Sequence, residues 1–242
     1  AGTALQLDTP TWRASADWGD RLGYPLGEIR RVNRDAVALI DQLRQEASLD
    51  TFLISGCVGP RGDGYVAGDV VDPDDAAAYH APQIEAFAEA GADLVTVLTL
   101  TGTGEAIGIA RAARAAGLPV AVSFTVELDG RLPDGTTLPA AVATVDAEGG
   151  PDYFMLNCAH PTHIARGLTD DGDWRLRIRG LRANASTRSH AELDTATELD
   201  EGNPIELARA QDALRPGLSN LALLGGCCGT DARHVAAMWA AP

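Results

Sequence analysis

Short apolar runs alternate with longer amphipathic stretches along almost the whole chain. Thr3 to Asp8 is a brief apolar run, broken by Thr9-Pro10-Thr11-Trp12 and followed by a polar loop through Tyr24. From Glu28 to Ala47, Ile29, Val32, Ala36, Val37, Ile40 and Leu43 recur at spacings of three and four, which predicts an amphipathic helix. Thr51 to Ser55 reads as a strand that empties into Gly56-Cys57-Val58-Gly59-Pro60-Arg61-Gly62-Asp63-Gly64-Tyr65. That segment is too rich in glycine for regular structure and long enough to be a functional loop. Asp72 and Pro73 then open a helix as N-cap and first-turn residue, with Asp74 and Asp75 suited to the helix dipole, and it ends near Gly91.

The unit repeats. Strands are predicted at Asp93 to Thr99, Pro119 to Thr125, Asp152 to Leu156, Arg177 to Ala183 and Asn220 to Leu224. Helices fall at Gly104 to Ala116, Thr137 to Ala147, after Pro161, Pro204 to Leu214 and Asp231 to Trp239. Between Asn184 and Asn203 lies a polar segment of about 20 residues, longer than an ordinary connection, which predicts a loop over a site or an arm. Strands joined by helices give a parallel sheet with right-handed crossovers. The pattern contains seven strands, near residues 5, 53, 96, 122, 154, 180 and 222, and barrels of this kind close at eight. The fold expected is therefore an α/β (β/α)8 TIM barrel lacking its first βα unit, with an open doubly wound sheet as the alternative.

Composition narrows the class. With 242 residues, 45% of them hydrophobic, the chain can bury one full core, so residues 1–242 read as a single domain. The 19 basic and 34 acidic residues leave a formal charge of −15, which disfavours nucleic acid as a partner. No run of about 18 apolar residues suggests a membrane span, and the N-terminus lacks the parts of a signal peptide. Four cysteines in a chain of this length do not make a secreted disulfide scaffold, so a cytoplasmic location with reduced thiols is expected.

Those cysteines carry the chemistry. Cys57, Cys158, Cys227 and Cys228 each fall just after a predicted strand, the rim on which parallel barrels build their sites. Cys57 reads as a small buried hydrophobe as readily as a functional group. Cys227 and Cys228 are adjacent and framed by glycines, in Leu223-Leu224-Gly225-Gly226-Cys227-Cys228-Gly229-Thr230. Neighbouring cysteines do not easily form a disulfide with each other, but a sharp turn can point both thiolates at one soft metal ion.

Asn157-Cys158 after one strand and Gly225-Gly226-Cys227-Cys228-Gly229 after the last resemble the homocysteine S-methyltransferase family, zinc-dependent (β/α)8 barrels with betaine-dependent and cobalamin-dependent members. Thr9-Pro10-Thr11-Trp12-Arg13, Ser123-Phe124-Thr125 and Arg182-Ala183-Asn184-Ala185-Ser186 resemble rim segments of bacterial members. The resemblance implies that Cys158, Cys227 and Cys228 hold a Zn2+ cofactor and that the partners are a small-molecule thiol and a methyl donor. Three thiolates leave a fourth place for an incoming thiol, as a catalytic rather than a structural zinc site requires. Zinc lowers the proton affinity of a bound thiol while surrounding sulfur keeps it nucleophilic, ready to displace methyl from a sulfonium or ammonium donor. Holding sulfur and methyl carbon together supplies much of the acceleration.

Two features depart from the family pattern. An Asp-Gly-Gly-like turn that closes the family's first strand has no counterpart here, and an open barrel predicts poor stability, a homo-oligomer or a gap-filling neighbour. Leu98 stands where the family usually places a glutamate for the substrate's amino group. Glu127 offers a carboxylate from the neighbouring strand or is simply an exposed loop acid. Trp12 and Trp18 suit an aromatic wall for a cationic donor or ordinary packing. Arg13 and Asn184 suit a carboxylate grip, or for Arg13 a salt bridge. His160 and His163 read as helix-start or pocket-wall residues. The Gly59 to Gly64 loop lacks the phosphate-binding signatures. A non-catalytic metal-binding relative with a degenerate pocket is the second reading.

Overall fold

A computed structural model describes residues 4–240. It contains, in order, β1 (Ala4–Asp8), α1 (Ala16–Arg21), α2 (Leu26–Glu46), β2 (Thr51–Val58), α3 (Pro73–Ala90), β3 (Leu94–Leu100), α4 (Thr103–Ala115), β4 (Val120–Phe124), α5 (Leu138–Ala147), β5 (Tyr153–Asn157), α6 (Pro161–Gly167), β6 (Ile178–Ala183), α7 (His190–Asp194), α8 (Pro204–Asp212), β7 (Leu223–Gly226) and α9 (Ala232–Ala240). Thr3, the predicted start of the first strand, lies outside the described residues. Helix starts obey local chemistry: the Asp72 side chain accepts from the backbone N–H groups of Asp74 and Asp75, and α3 stops at left-handed Gly91.

All six strand pairings are parallel, and the strands lie side by side in chain order from β1 to β7. That order excludes the doubly wound alternative, whose strand order reverses at a switch point. The sheet is also curled. The side chain of Arg182 on β6 meets Asp8 on β1, and the Tyr153 hydroxyl on β5 lies 3.4 Å from Gln6 Oε1 on β1. In a flat sheet at about 4.8 Å per strand, β1 and β6 would stand about 24 Å apart. Among the described residues, β1 pairs only with β2 and β7 only with β6, leaving a seam between them.

Strand alternation and register divide the sheet into two chemically different faces. The outer face carries Ile54, Val58, Val95, Val97, Val122, Phe124, Phe154, Leu156 and Leu181, all buried in one apolar core with Val37, Ile84, Phe87, Ile109 and Val145 of the helices. The inner face carries Gln6, Asp8, Ser55, Cys57, Thr96, Ser123, Asn157 and Arg182. Its polar groups satisfy one another across strands: Gln6 Nε2 and Ser55 Oγ both donate to Thr96 Oγ1, at 3.0 and 2.7 Å. Among the described residues no helix is long and apolar enough to cross a membrane.

Two strands depart from expectation by three residues at one end. β2 continues through Cys57 to Val58, because Cys57 pairs in register with Thr96 and is buried on the inner face. It is therefore a strand residue rather than a rim residue. β7 covers Leu223–Gly226 instead of Asn220 to Leu224, since Leu223 to Gly226 are the residues that pair with Gly180 to Ala183. The shift brings the double cysteine to the strand's end.

Candidate metal centre

Three sulfurs converge at the rim where β5 and β7 end. The Sγ atoms of Cys158, Cys227 and Cys228 all lie within 4.8 Å of one another, and Cys158 Sγ is 3.4 Å from Cys228 Sγ. Cys158 is buried, Cys227 partly buried and Cys228 exposed. Cys57 is not in the cluster.

Each side of the centre is built differently. Cys158 adopts a left-handed backbone, φ 54°, which is costly for a residue with a Cβ. Asn157, just before it, anchors that geometry: its Oδ1 accepts from Thr99 N–H at 2.8 Å and Ser123 Oγ at 2.7 Å, and its Nδ2 donates to Thr99 Oγ1 at 2.8 Å. Thr99 is itself left-handed, φ 67°. On the other side the chain turns within Gly226 to Thr230. A Cβ on Gly226 would stand 2.1 Å from Thr230 Oγ1, and one on Gly229, φ 76°, would stand 2.4 Å from the Asp200 carbonyl oxygen. Glycine is required at both. Thr230 Oγ1 donates to the Cys227 carbonyl at 2.6 Å and Cys227 N–H to the Ala183 carbonyl at 2.8 Å, closing the turn on β6.

The thiols share protons. Hydrogen bonds from Cys158, then from Cys227, hold Cys228 well below the usual thiol range, so the cluster carries one thiolate readily. Hydrogen bonding to Cys227 and Cys228, burial and the neighbouring negative charge push Cys158 upward. Three thiolates this close together would repel one another, and a cation among them would relieve that repulsion. A soft, three-sulfur donor set with one member reaching solvent fits zinc and leaves a coordination place for another ligand.

Two further side chains reach the cysteines of the cluster. Tyr65 Oη lies 3.2 Å from Cys158 Sγ and 3.9 Å from Cys228 Sγ. His190, the first residue of α7, places Nε2 at 2.7 Å from the Cys158 carbonyl oxygen and Nδ1 at 3.0 Å from Glu127 Oε1, while its ring packs on Tyr65 at 4.7 Å. Neither was identified from the sequence as a site residue. The signals available were their segments: Tyr65 ends the glycine-rich loop, and His190 lies within the long polar segment that begins at Asn184.

That polar segment is a roof. An open cavity of about 370 Å³ is lined by Tyr65, Cys158, Asn184, His190, Cys228 and residues between Leu193 and Asp200. The roof is tied down at both ends, by His190 on the Cys158 side and by Asp200 on the other. Asp200 accepts from Ser186 Oγ at 2.7 Å, and the following Glu201 carbonyl meets His234 Nε2 at 2.9 Å.

The remaining candidates occupy other positions. Asn184 lines the cavity, with its Oδ1 accepting from Ser186 N–H. Glu127 stands one residue back, paired with His190. Trp12 Nε1 donates to the Leu98 carbonyl at 3.1 Å, and its ring lies against Gly64, bracing the loop that carries Tyr65. Arg13 stacks between Trp12 and Trp18, at 4.5 and 4.1 Å, and donates to the Gly62 carbonyl. The cation facing these indoles is thus the chain's own. Leu98 is buried. His160 caps α6 by accepting from Thr162 N–H, and His163 Nε2 meets the Thr187 carbonyl, so both have structural partners outside the sulfur cluster.

The model of the homocysteine S-methyltransferase family matches residues 2–241. The chain belongs to the homocysteine S-methyltransferase family. It is 30% identical over 222 residues to the homocysteine S-methyltransferase of Escherichia coli strain K12, covering 87% of this chain and 68% of that protein. It is 32% identical over 156 residues to the methionine synthase of Mycobacterium leprae, covering 61% of this chain but only 12% of that protein. The fold matches the crystal structure of the metallated form of the homocysteine methyltransferase MmuM from Escherichia coli, with a TM-score of 0.79 at 22% identity, over 96% of this chain and 78% of that one. The oxidized form of the same protein matches with a TM-score of 0.80.

Proposed function

We propose that this chain moves a methyl group from a small cationic donor, a sulfonium or quaternary ammonium, to the thiol of homocysteine, using zinc held by Cys158, Cys227 and Cys228. One observation carries the reading: in a member of this family, three sulfurs lie within 4.8 Å of one another, and two of them, those of Cys158 and Cys228, line a cavity of about 370 Å³. Zinc would stabilise the acceptor as a thiolate at neutral pH.

The chain's own groups support the rest. Asn157 and the Gly226 to Thr230 turn fix the sulfurs before substrate arrives, so little reorganisation is left for the reaction. The segment from Leu193 to Asp200 covers one side of the cavity beside the sulfurs. Its acids Asp194, Glu198 and Asp200 give the cavity a negative wall that suits a cationic donor. Methyl leaves the onium atom as that atom regains its electron pair, and no proton has to move in the transfer itself. Reduced thiols at this spacing suit a cytoplasmic setting. The edges of β1 and β7, unpaired among the described residues, suit one further βα unit closing the barrel, or a partner copy at the seam.

The test is methionine formation from homocysteine with S-methylmethionine or betaine as donor, using zinc-loaded protein. Product expected with at least one donor supports the reading. Zinc-loaded protein that binds homocysteine yet turns over no onium donor would favour the non-catalytic relative instead.

A further inference from the structure

Both arms of the sulfur centre lean on one residue between them. Arg182, next to the end of β6, is in register with Asn157 of β5 and Gly225 of β7. Its carbonyl accepts from Cys158 N–H at 3.0 Å and so holds the β5 arm. Its side chain serves the other arm. Cγ lies 3.4 Å from the point where a Cβ of Gly225 would stand, and Nε donates at 3.4 Å to the carbonyl of Gly226, the residue before Cys227. The guanidinium ends on the carboxylate of Asp8, on β1. With side chains 26% and 13% exposed, the pair is largely withdrawn from water. Desolvating two charges offsets most of their attraction, so such a pair is a weak source of stability. What it fixes is direction, because a guanidinium anchored on a carboxylate keeps its Nε on the β7 carbonyl. The Asp8 side chain hydrogen-bonds to Gln6 and Arg182 and, among the described residues, to no cysteine and to nothing on β7.

We propose that Arg182 is the positioning residue of the metal centre, setting the gap between Cys158 and the Cys227–Cys228 turn, and that Asp8 acts on the metal through it. This rests on the zinc reading of Cys158, Cys227 and Cys228. One metal ion needs all three sulfurs at bonding distance from a common point. Cys158 moves with β5 and the double cysteine with β7, and these two strands do not pair with each other; both pair with β6. A slip of β7 along β6 therefore opens the cluster. Arg182 opposes that slip at the last residue of β7, and it does so only while Asp8 fixes the far end of the guanidinium. Without Asp8 the side chain is free to swing toward the seam between β1 and β7. No bond is made or broken and no proton moves in this role.

Cobalt binding to metal-free protein at one fixed pH reads this role without turnover, through the affinity for Co2+ and the shape of its d–d bands. Asp8→Ala and Arg182→Met are each expected to weaken Co2+ binding about tenfold and to broaden the bands. The double variant should bind no more weakly than Arg182→Met alone, because both changes cut the same link. Asp8→Asn loses the charge but keeps an acceptor for the guanidinium, so its affinity should stay within about threefold of the parent. Equal weakening by Asn and Ala would make the role one of charge, and additive losses would make the two residues independent; either result overturns the proposal. So does easier unfolding of Asp8→Ala with unchanged cobalt affinity and bands, since a pair that only closes the sheet would behave that way. If Asp8→Ala or Arg182→Met does not fold, Arg182→Lys decides. Its single ammonium cannot span the carboxylate and the carbonyl as the forked guanidinium does, so Co2+ binding several-fold weaker is expected, and parent-like binding overturns the proposal. A parent protein that binds neither zinc nor cobalt overturns the zinc reading together with this one.

Discussion

Two turns present sulfur to the same point, and they do so by opposite means. After β5, a residue with a Cβ is forced into the left-handed region and held there by the three hydrogen bonds of one buried asparagine. After β7, glycines remove the steric problem, and a threonine hydroxyl closes the turn. Strain held by a network and strain avoided by composition reach the same geometry. The first is sensitive to loss of a polar partner, the second to gain of a methyl group.

The largest effect should come from the sulfurs themselves, where the two turns are equivalent. Serine is a poor soft-metal ligand, so Cys158→Ser and Cys227→Ser should each release most of the bound zinc and abolish methyl transfer, as metal analysis after dialysis would show. Retention of one equivalent by either variant would break the equivalence. Next comes Asn157→Ala, which strands the buried Thr99 N–H and Ser123 hydroxyl and should cost about 3 kcal/mol in denaturant unfolding. Gly229→Ala should cost about 2 kcal/mol, from the left-handed backbone and the Asp200 carbonyl in the path of the new methyl. In that variant the damage should reach the roof, seen as faster hydrogen exchange between residues 193 and 200.

Acid should separate the two turns further. His160, beside Cys158, is buried, and burial, with a smaller contribution from His163, pushes its imidazole down to about 4. A folded value below the unfolded one means that stability is complete above about pH 6.5 and is lost as pH falls toward 4. Metal-free protein should therefore lose up to about 2 kcal/mol between pH 7 and pH 4.5 from this group. His160→Asn, which keeps an N-cap acceptor, should flatten that part of the profile. The smallest effect is expected at Glu127→Gln. Its carboxylate touches His190 and not the cavity sulfurs, so homocysteine affinity should change by less than about threefold; a tenfold loss would move Glu127 into the substrate site.

The contrast between the turns also explains what could be read in the chain. Gly226-Cys227-Cys228-Gly229 announces its turn, because glycine is the residue such a backbone requires and adjacent cysteines have few other uses. Nothing comparable marks Cys158 as left-handed: Asn157 precedes many ordinary turns, and its partners Thr99 and Ser123 come from two other strands. The same holds for Tyr65 and His190. They lie 93 and 32 residues from Cys158, and only their segments, a glycine-rich loop and an overlong polar connection, stood out. Cys57 shows the reverse error. A glycine beside it suggests a loop, but pairing with β3 keeps it in the strand, its sulfur buried below the rim.

By itself the sequence marked the seven strands, the longer helices and a double cysteine in a glycine turn, because periodicity, caps and glycine turns act over a few residues and are written locally; α1 and α7 fall in segments whose polar pattern marks no helix. Only the tertiary structure decided that the sheet curls until Arg182 meets Asp8, that Arg13 stacks between Trp12 and Trp18, and that the Tyr65 hydroxyl comes within 3.2 Å of Cys158 Sγ. Those outcomes depend on where distant strands bring their side chains, and a register or a curl is set by the packing of all the elements at once.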